Sequence, residues 1–182
     1  MRIIAGRHRG RHFDVPRTFK ARPTTDFAKE NLFNVLRGYI DFEDEAPSAL
    51  DLFAGTGSIT LELLSRGCSS VTSVELDPQH VRLVRNFVET IGETDSSVII
   101  RADVLRYLSR PCQQPFGFVF ADPPYALREL PSLPELVLSG GWLASGALFV
   151  LEHGADHDFS HHPALIDHRQ WGSVNFSIFR QG

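Results

Sequence analysis

Cysteine is scarce in this chain of 182 residues, which contains only Cys68 and Cys112. Neither belongs to a CxxC pair or to a spaced set of zinc ligands, so the sequence predicts no disulfide framework and no zinc centre. Two free thiols are typical of a protein from a reducing compartment. We therefore expect a cytoplasmic location.

Long apolar runs are also missing, since none approaches the roughly 20 residues that a membrane span requires. Residues 1–7 (MRIIAGR) lack the apolar stretch of a signal peptide. The composition, 42% hydrophobic and 22% charged, is that of an ordinary globular protein. We expect one domain, 1–182, in which a basic arm (1–22) and a helical region (23–47) precede a core (48–182). Nothing in the sequence demands more than a monomer.

Acidic residues are nearly absent from the first 22 positions, where Asp14 is the single one. The same segment carries seven basic side chains: Arg2, Arg7, Arg9, Arg11, Arg17, Lys20 and Arg22. The whole chain has a formal net charge of -4, so its positive charge is concentrated at one end. Such a surface attracts a polyanion such as RNA or DNA, although a solvated arm without a partner would have the same composition.

The order of predicted elements indicates an α/β fold with a mostly parallel sheet. Residues 2–5 and 12–15 predict a short hairpin around a turn at 6–10, and Thr24 or Thr25 can cap a helix that runs to about Gly38. Strands are predicted at 48–53, 71–75, 97–101, 116–121 and 147–152, and helices at 57–65, 78–91 and 129–139. A C-terminal hairpin is predicted from 165–171 and 174–180.

A glycine turn, DLFAGTG at 51–57, follows the first strand of the core. Gly55 and Gly57 let the backbone bend sharply and approach a ligand, and ligands bind at the carboxyl ends of parallel strands. Glu75, at the end of the second strand, can accept both hydroxyls of a ribose, and Asp103, after the third, can accept from an adenine amino group. The alternative is a plain tight turn with two helix caps. A dinucleotide site is disfavoured because Thr60 stands where its third glycine belongs.

The tetrapeptide Asp122-Pro123-Pro124-Tyr125 follows the fourth strand. An exocyclic base amine is a poor nucleophile because its lone pair is delocalised into the ring. The Asp122 carboxylate and the Pro123 carbonyl can accept its two N–H groups and so direct the lone pair at a methyl donor. The prolines stiffen the loop, and Tyr125 can stack on the base.

Together these residues resemble the RsmD-type 16S ribosomal RNA (guanine-N2)-methyltransferases, and the resemblance covers nearly the whole chain. Its N-terminal part consists of MRIIAG, RGR at 9–11, RPTTD at 22–26 and ENLFN at 30–34. The glycine turn and the DPPY tetrapeptide complete the pattern. The tetrapeptide alone is shared with DNA adenine-N6 methyltransferases, whereas the N-terminal combination is much more specific.

The resemblance implies a Rossmann-like Class I methyltransferase with a seven-stranded, mostly parallel sheet, helices on both faces and the C-terminal hairpin at one edge. It implies S-adenosyl-L-methionine as cofactor and 16S ribosomal RNA, within the small subunit or an assembly intermediate, as partner. It also implies that residues 22–26 fold over the methionine end of the cofactor. The candidate cofactor-binding residues are Asp51, Phe53, Ala54, Gly55, Gly57, Glu75, Leu76, Asp103, Val104, Thr24 and Thr25. The candidate RNA-binding residues are Arg7, Arg9, Arg11 and Arg22.

Two readings remain beside this one: a DNA adenine-N6 methyltransferase, and a non-catalytic RNA-binding assembly factor on the same fold. The first lacks a segment long enough to read duplex sequence, and the second has no need of an intact 122–125 loop.

His153, His157 and His161 recur every four residues, but Gly154 interrupts a helix there, and methyl transfer from a sulfonium needs no metal. Glu152, at a strand end, is compatible with a place in the site, a helix cap or the surface.

Overall fold

The computed structural model describes residues 1–16 and 25–182. Its centre is a seven-stranded sheet in the order β3-β2-β1-β4-β5-β7-β6. The strands are β1 (Ser48–Leu52), β2 (Ser70–Glu75), β3 (Ser97–Arg101), β4 (Phe116–Ala121), β5 (Leu143–His153), β6 (Leu165–Trp171) and β7 (Val174–Arg180). Strands β1 to β5 are parallel, and β7 pairs antiparallel with both β5 and β6. The predicted mostly parallel sheet with a C-terminal hairpin at one edge is therefore confirmed.

Helices cover both faces of this sheet, as predicted. They are α1 (Asp26–Leu36), α2 (Ser58–Arg66), α3 (Pro78–Ile91), α4 (Val104–Leu108) and α5 (Leu133–Leu138). The first three pack on one face and bury a core that includes Leu32, Leu63 and Val84. The other two pack on the opposite face, where Leu108 and Val137 are buried. No helix of the described part of the chain is long and apolar enough to cross a membrane.

Some element boundaries differ from the predicted ones. Strand β5 begins at Leu143 instead of residue 147, with an irregular register against β4. The predicted helix at 129–139 divides into a 3-10 turn (Leu130–Ser132) and α5, because prolines stand near the start of each. Helix α4 and the 3-10 turn Thr94–Ser96 were not predicted, since both are too short to show a periodic pattern.

The N-terminal arm is a hairpin-like loop with a single bridge, between Arg2 and His12, and no extended strands among its described residues. Its backbone is fixed by a fully buried carboxylate of α2. Glu62 accepts the N–H groups of Ile4 (2.8 Å) and Ala5 (3.1 Å). Lys29, on α1, is also fully buried and donates to the carbonyl of Arg2 at 2.7 Å. The arm is thereby anchored to two of the helices that cover one face of the sheet.

Candidate active site

The candidate site lies at the carboxyl ends of the five parallel strands. The polar groups expected there follow neighbouring strands of the sheet: Asp103 after β3, Glu75 at the end of β2, residues 53–57 after β1 and Asp122 after β4. The topology therefore brings all of them to one edge, which is where open parallel sheets bind ligands.

The glycine turn between β1 and α2 has the conformation that its sequence predicts. Phe53, Gly55 and Gly57 all have positive φ angles, of 60°, 53° and 80°. A side chain at Gly57 would also place its Cβ 2.9 Å from Cγ2 of Val84 on α3. Glycine is thus required at this position both by backbone conformation and by space, and the turn presents bare backbone at the site.

Glu75 is held in place by two backbone groups. Its Oε2 accepts from the N–H of Gly55 at 2.7 Å, and its Oε1 accepts from the N–H of Asp77 at 2.7 Å. Each carboxylate oxygen retains a second lone pair that can accept a ribose hydroxyl. The next side chain, Leu76, is 59% exposed and offers an apolar surface to a flat ring. Both residues fit a bound nucleoside.

Asp51 lies beneath the turn, in the protein interior. Its Oδ2 accepts from the hydroxyl of Thr60 at 2.6 Å, and Thr60 is also hydrogen-bonded to Ser73 at 2.8 Å. Burial raises the pKa of Asp51 to about 7, and the nearby Glu75 charge acts in the same direction. This residue supports the turn from behind, and its direct contact with a cofactor stays a prediction.

Asp103 and Thr25 both cap helices. Oδ1 of Asp103 accepts from the N–H of Arg106 at 2.9 Å at the start of α4, where Val104 is buried. The hydroxyl of Thr25 accepts from the N–H of Ala28 at 3.2 Å at the start of α1, so the predicted cap is confirmed for this residue. The proposed contacts of these side chains with a cofactor stay predictions. Thr24 and Arg22 lie outside the described residues.

The tetrapeptide 122–125 leaves the sheet between β1 and β5. The N–H of Asp122 donates to the carbonyl of Leu52 at 3.3 Å, so the loop stays attached to the end of β1. Pro123 is buried, whereas Pro124 and Tyr125 are exposed. Burial raises the pKa of Asp122 well above its ordinary value, and the charges of Glu152 and Asp51 and a hydrogen bond to Glu152 add to the effect.

Glu152 is the member of this site that the sequence left undecided. It is 4% exposed, and the register of β4 with β5 places it beside Asp122, one step beyond the pair Ala121–Leu151. Its Oε1 accepts from the hydroxyl of Tyr125 at 3.1 Å. The sequence signal available was a charged residue at the end of an otherwise apolar strand, at the sheet edge where the other acids were expected.

The basic side chains of the arm differ in what they contact. Arg7 pairs with Glu93 (Nε–Oε1 2.7 Å), and Arg11 donates to the carbonyl of Thr90 at 3.1 Å. Arg9 is exposed at the tip of the arm. RNA contacts of these three residues stay predictions.

In the histidine cluster, His153 has structural contacts. His153 is buried, with Nε2 2.9 Å from the Ser177 hydroxyl and Nδ1 2.8 Å from the Gly154 carbonyl, and burial lowers its pKa. Its ring packs against Phe159 at 5.0 Å between centroids. Within residues 1–16 and 25–182, no three His, Cys, Asp or Glu side chains are grouped so that they could hold a metal ion.

Comparison with known proteins gives a family match over almost the entire chain. The profile of a family described as "Conserved hypothetical protein 95" matches residues 1–180. Ribosomal RNA small subunit methyltransferase D of Haemophilus influenzae is 33% identical over 99% of this chain and 93% of its own length. The solved structure of yhhF from Escherichia coli is 30% identical, with a TM-score of 0.84 over 100% of this chain and 97% of that one.

A more distant solved structure shares the fold alone. It is an RNA methyltransferase from Salinibacter ruber in complex with S-adenosyl-L-homocysteine, 15% identical with a TM-score of 0.67, covering 87% of this chain and 93% of that chain. The Rossmann-like methyltransferase fold expected from the sequence is therefore confirmed.

Proposed function

Because this chain belongs to the RsmD-type family of ribosomal RNA methyltransferases, we propose that it methylates the exocyclic N2 amine of a guanine in small-subunit (16S) ribosomal RNA, using S-adenosyl-L-methionine. The observation that carries this proposal is the Asp122–Tyr125 loop, which lies between the glycine turn of β1 and the buried Glu152 of β5. A protein that only bound RNA would need no such group of carboxylates beside the glycine turn and Glu75.

The residues at the ends of β1, β2 and β3 fit the cofactor. The carboxylate of Glu75 is oriented by two backbone N–H groups and would accept the ribose hydroxyls, while Leu76 would pack on the adenine ring. Asp103 and the backbone of Val104 would bind the edge of that ring. Residues 53–57 would lie against the amino acid portion, together with Thr24 and Thr25. When bound, the cofactor supplies a methyl group on a positively charged sulfur.

The loop at 122–125 would orient the amine for transfer. Asp122 and the carbonyl of Pro123 would accept its two N–H groups, which favours a pyramidal nitrogen whose lone pair points at the methyl carbon. Such orientation contributes a large part of the rate enhancement of a displacement reaction. The exposed ring of Tyr125 would stack on the target base after the base has left its helix or loop.

The substrate is proposed to be the assembled small subunit or an assembly intermediate, bound by a monomer of this protein. The positive arm is short, and two of its arginines already contact Glu93 and the backbone of Thr90. A small basic surface of this kind gives modest affinity for RNA alone. Equal methylation of free 16S RNA and of subunits would contradict this part of the proposal.

A labelling experiment tests the proposal. Purified protein and its Asp122→Ala variant are incubated with methyl-labelled S-adenosylmethionine and small subunits from a strain that lacks the enzyme, and nucleosides are then analysed by mass spectrometry. We expect N2-methylguanosine with the parent and a loss of at least about 100-fold with the variant. Binding of S-adenosylhomocysteine, measured by calorimetry, is the folding control. In a parallel incubation with DNA, formation of N6-methyladenine would support a DNA adenine-N6 methyltransferase. Binding of cofactor and RNA without any transfer would support a non-catalytic assembly factor.

A further inference from the structure

Glu152, which is buried, and Asp122, which is partly buried, form a pair of adjacent carboxyl groups. Strands β4 and β5 are parallel and in register at Ala121–Leu151, so the next residue on each strand faces the same side of the sheet. Asp51, on β1, contributes a third carboxyl group to the same side, since it pairs with Phe120. Three negative charges in such an enclosed space would repel strongly, so the cluster must retain protons at neutral pH.

Glu152 also fixes the aromatic ring of the catalytic loop. Its Oε1 accepts from the Tyr125 hydroxyl at 3.1 Å, and the edge of the same ring lies against Gly154, where a Cβ would be 3.2 Å from Cδ2. Both contacts come from the end of β5, while 44% of the Tyr125 side chain stays exposed. The end of β5 therefore sets the position of the ring that would receive the base.

We propose that Glu152 is a positioning residue of the methyl transfer, which shares one proton with Asp122 and accepts a hydrogen bond from Tyr125. This inference rests on the proposed function. The shared proton and the remaining negative charge belong to the pair, so an oxygen of Asp122 can accept from the substrate amine while Glu152 holds the ring of Tyr125. After transfer, the methylated nitrogen loses its extra proton to Asp122, and the pair holds two protons until one passes to water.

Replacement by glutamine separates this role from that of a charged base. The amide of Glu152→Gln has the shape of a protonated carboxyl, with an oxygen for Tyr125 and an N–H for Asp122. We expect this variant to lose less than about fivefold in kcat, and Glu152→Ala to lose about 10- to 100-fold. The KM for S-adenosylmethionine should stay within about twofold in both, and S-adenosylhomocysteine binding reports folding. A larger loss in Glu152→Gln than in Glu152→Ala would overturn the proposal.

The pH profile gives a readout that a merely structural role would not change. In the parent, kcat should fall at alkaline pH, when the pair loses its shared proton and the two charges push the loop away from β5. Asp51 and Tyr125 are titrating groups that also face the pair. Glu152→Gln cannot lose that proton, so its alkaline limb should move upward by at least one pH unit. If the alkaline limb of the kcat profile lies at the same pH in the parent and in Glu152→Gln, the proposed role of Glu152 is refuted.

A second readout requires no activity. In protein labelled with ¹³C at side-chain carboxyl carbons, NMR titration should show one carboxyl group besides Asp51 that is protonated at pH 7, and this signal should be absent from Glu152→Gln. Glu93→Gln, which removes a carboxyl group of the arm contact, is the control and should leave the signal in place. If neither Asp122 nor Glu152 is protonated at pH 7 while Asp122→Ala still abolishes transfer, this inference fails and the proposed function stands. If Asp122→Ala retains full activity, the function itself is wrong.

Discussion

At the scale of single residues, the site depends on positions where conformation and burial leave little choice. Gly57 has a left-handed backbone and no space for a side chain, and Asp51 is enclosed beneath it with Thr60 as its hydrogen-bond partner. Substitution at either position should therefore change the stability of the protein in a specific way.

Gly57→Ala should destabilise the protein more than Gly92→Ala. Both glycines have a left-handed φ, of 80° and 75°, which costs alanine about 1–2 kcal/mol. At Gly92 a Cβ would meet nothing within 4 Å, whereas at Gly57 it would lie 2.9 Å from Val84. We expect an additional loss of about 1–3 kcal/mol at Gly57, measured by urea denaturation. Equal losses of unfolding free energy in the two variants would show that α3 can move away from the new Cβ without an energetic cost.

Asp51→Asn should change how stability depends on pH. The pKa of Asp51 is raised from 3.8 to about 7 in the folded protein, so ionisation opposes folding. The free-energy penalty of ionising Asp51 in the folded protein is absent below the pKa of the unfolded chain. It grows as the pH rises from 3.8 to about 7 and is complete above about 7. The variant should gain up to a few kcal/mol relative to the parent between pH 4 and pH 8, since each pKa unit corresponds to about 1.4 kcal/mol. If thermal unfolding shows the same difference in stability between parent and variant at every pH, this prediction is contradicted.

At the scale of elements, anchorage of the arm depends on helix α2. Glu62 is fully buried between Lys29 and Arg66, with Arg66 Nε at 2.8 Å and Lys29 Nζ at 3.7 Å, and it also holds the backbone of the arm. Glu93 joins the arm to the end of α3 through Arg7, whose side chain is 51% exposed. The two contacts should therefore differ in strength.

Glu62→Ala should cost about 3–5 kcal/mol, because it leaves two buried cations without their partner. Glu93→Gln should cost less, about 1–3 kcal/mol, because Glu93 is buried but its partner Arg7 is half-exposed and the amide can keep a hydrogen bond. Urea denaturation measures both, and trypsin should cleave the arm after Arg9 or Arg11 much faster in the Glu62 variant. Equal cleavage in the two variants would mean that the arm is held mainly by its apolar contacts.

Sequence patterns predicted those elements that are long or that begin and end at characteristic residues such as proline and glycine. Helix α3 was predicted correctly because Asp77 and Pro78 mark its start and Gly92 its end. Helix α4 has only five residues, and its stability comes from burial of Val104 and Leu108 on the sheet, which no local pattern reveals. Glu152 remained open for the same reason, since its neighbour Asp122 is contributed by another strand. Contacts between strands depend on register, which the sequence does not specify directly.

At the scale of the whole molecule, charge is divided between a positive arm and a negative remainder. We expect binding to small subunits to weaken with salt, and Arg9→Ala to reduce the slope of log affinity against log salt by about 1. Arg110→Ala, which follows α4 on the opposite face of the sheet, is the matched control and should leave the slope unchanged. Filter binding at several salt concentrations measures both. Equal slopes for Arg9→Ala and the parent would exclude a phosphate contact at this position.

The placement of β7 between β5 and β6 constrains the order in which the chain can fold. Strand β6 is synthesised first, yet it reaches the sheet only through β7, with which it pairs from Leu165–Phe179 to Trp171–Val174. During synthesis, a nascent chain that ends before Val174 therefore exposes the open edge of β5 and an unpaired β6. Such edges are prone to association with other chains. The last hairpin is thus the step that closes the sheet, and ribosome-stalled chains should become resistant to protease only after β7 has emerged.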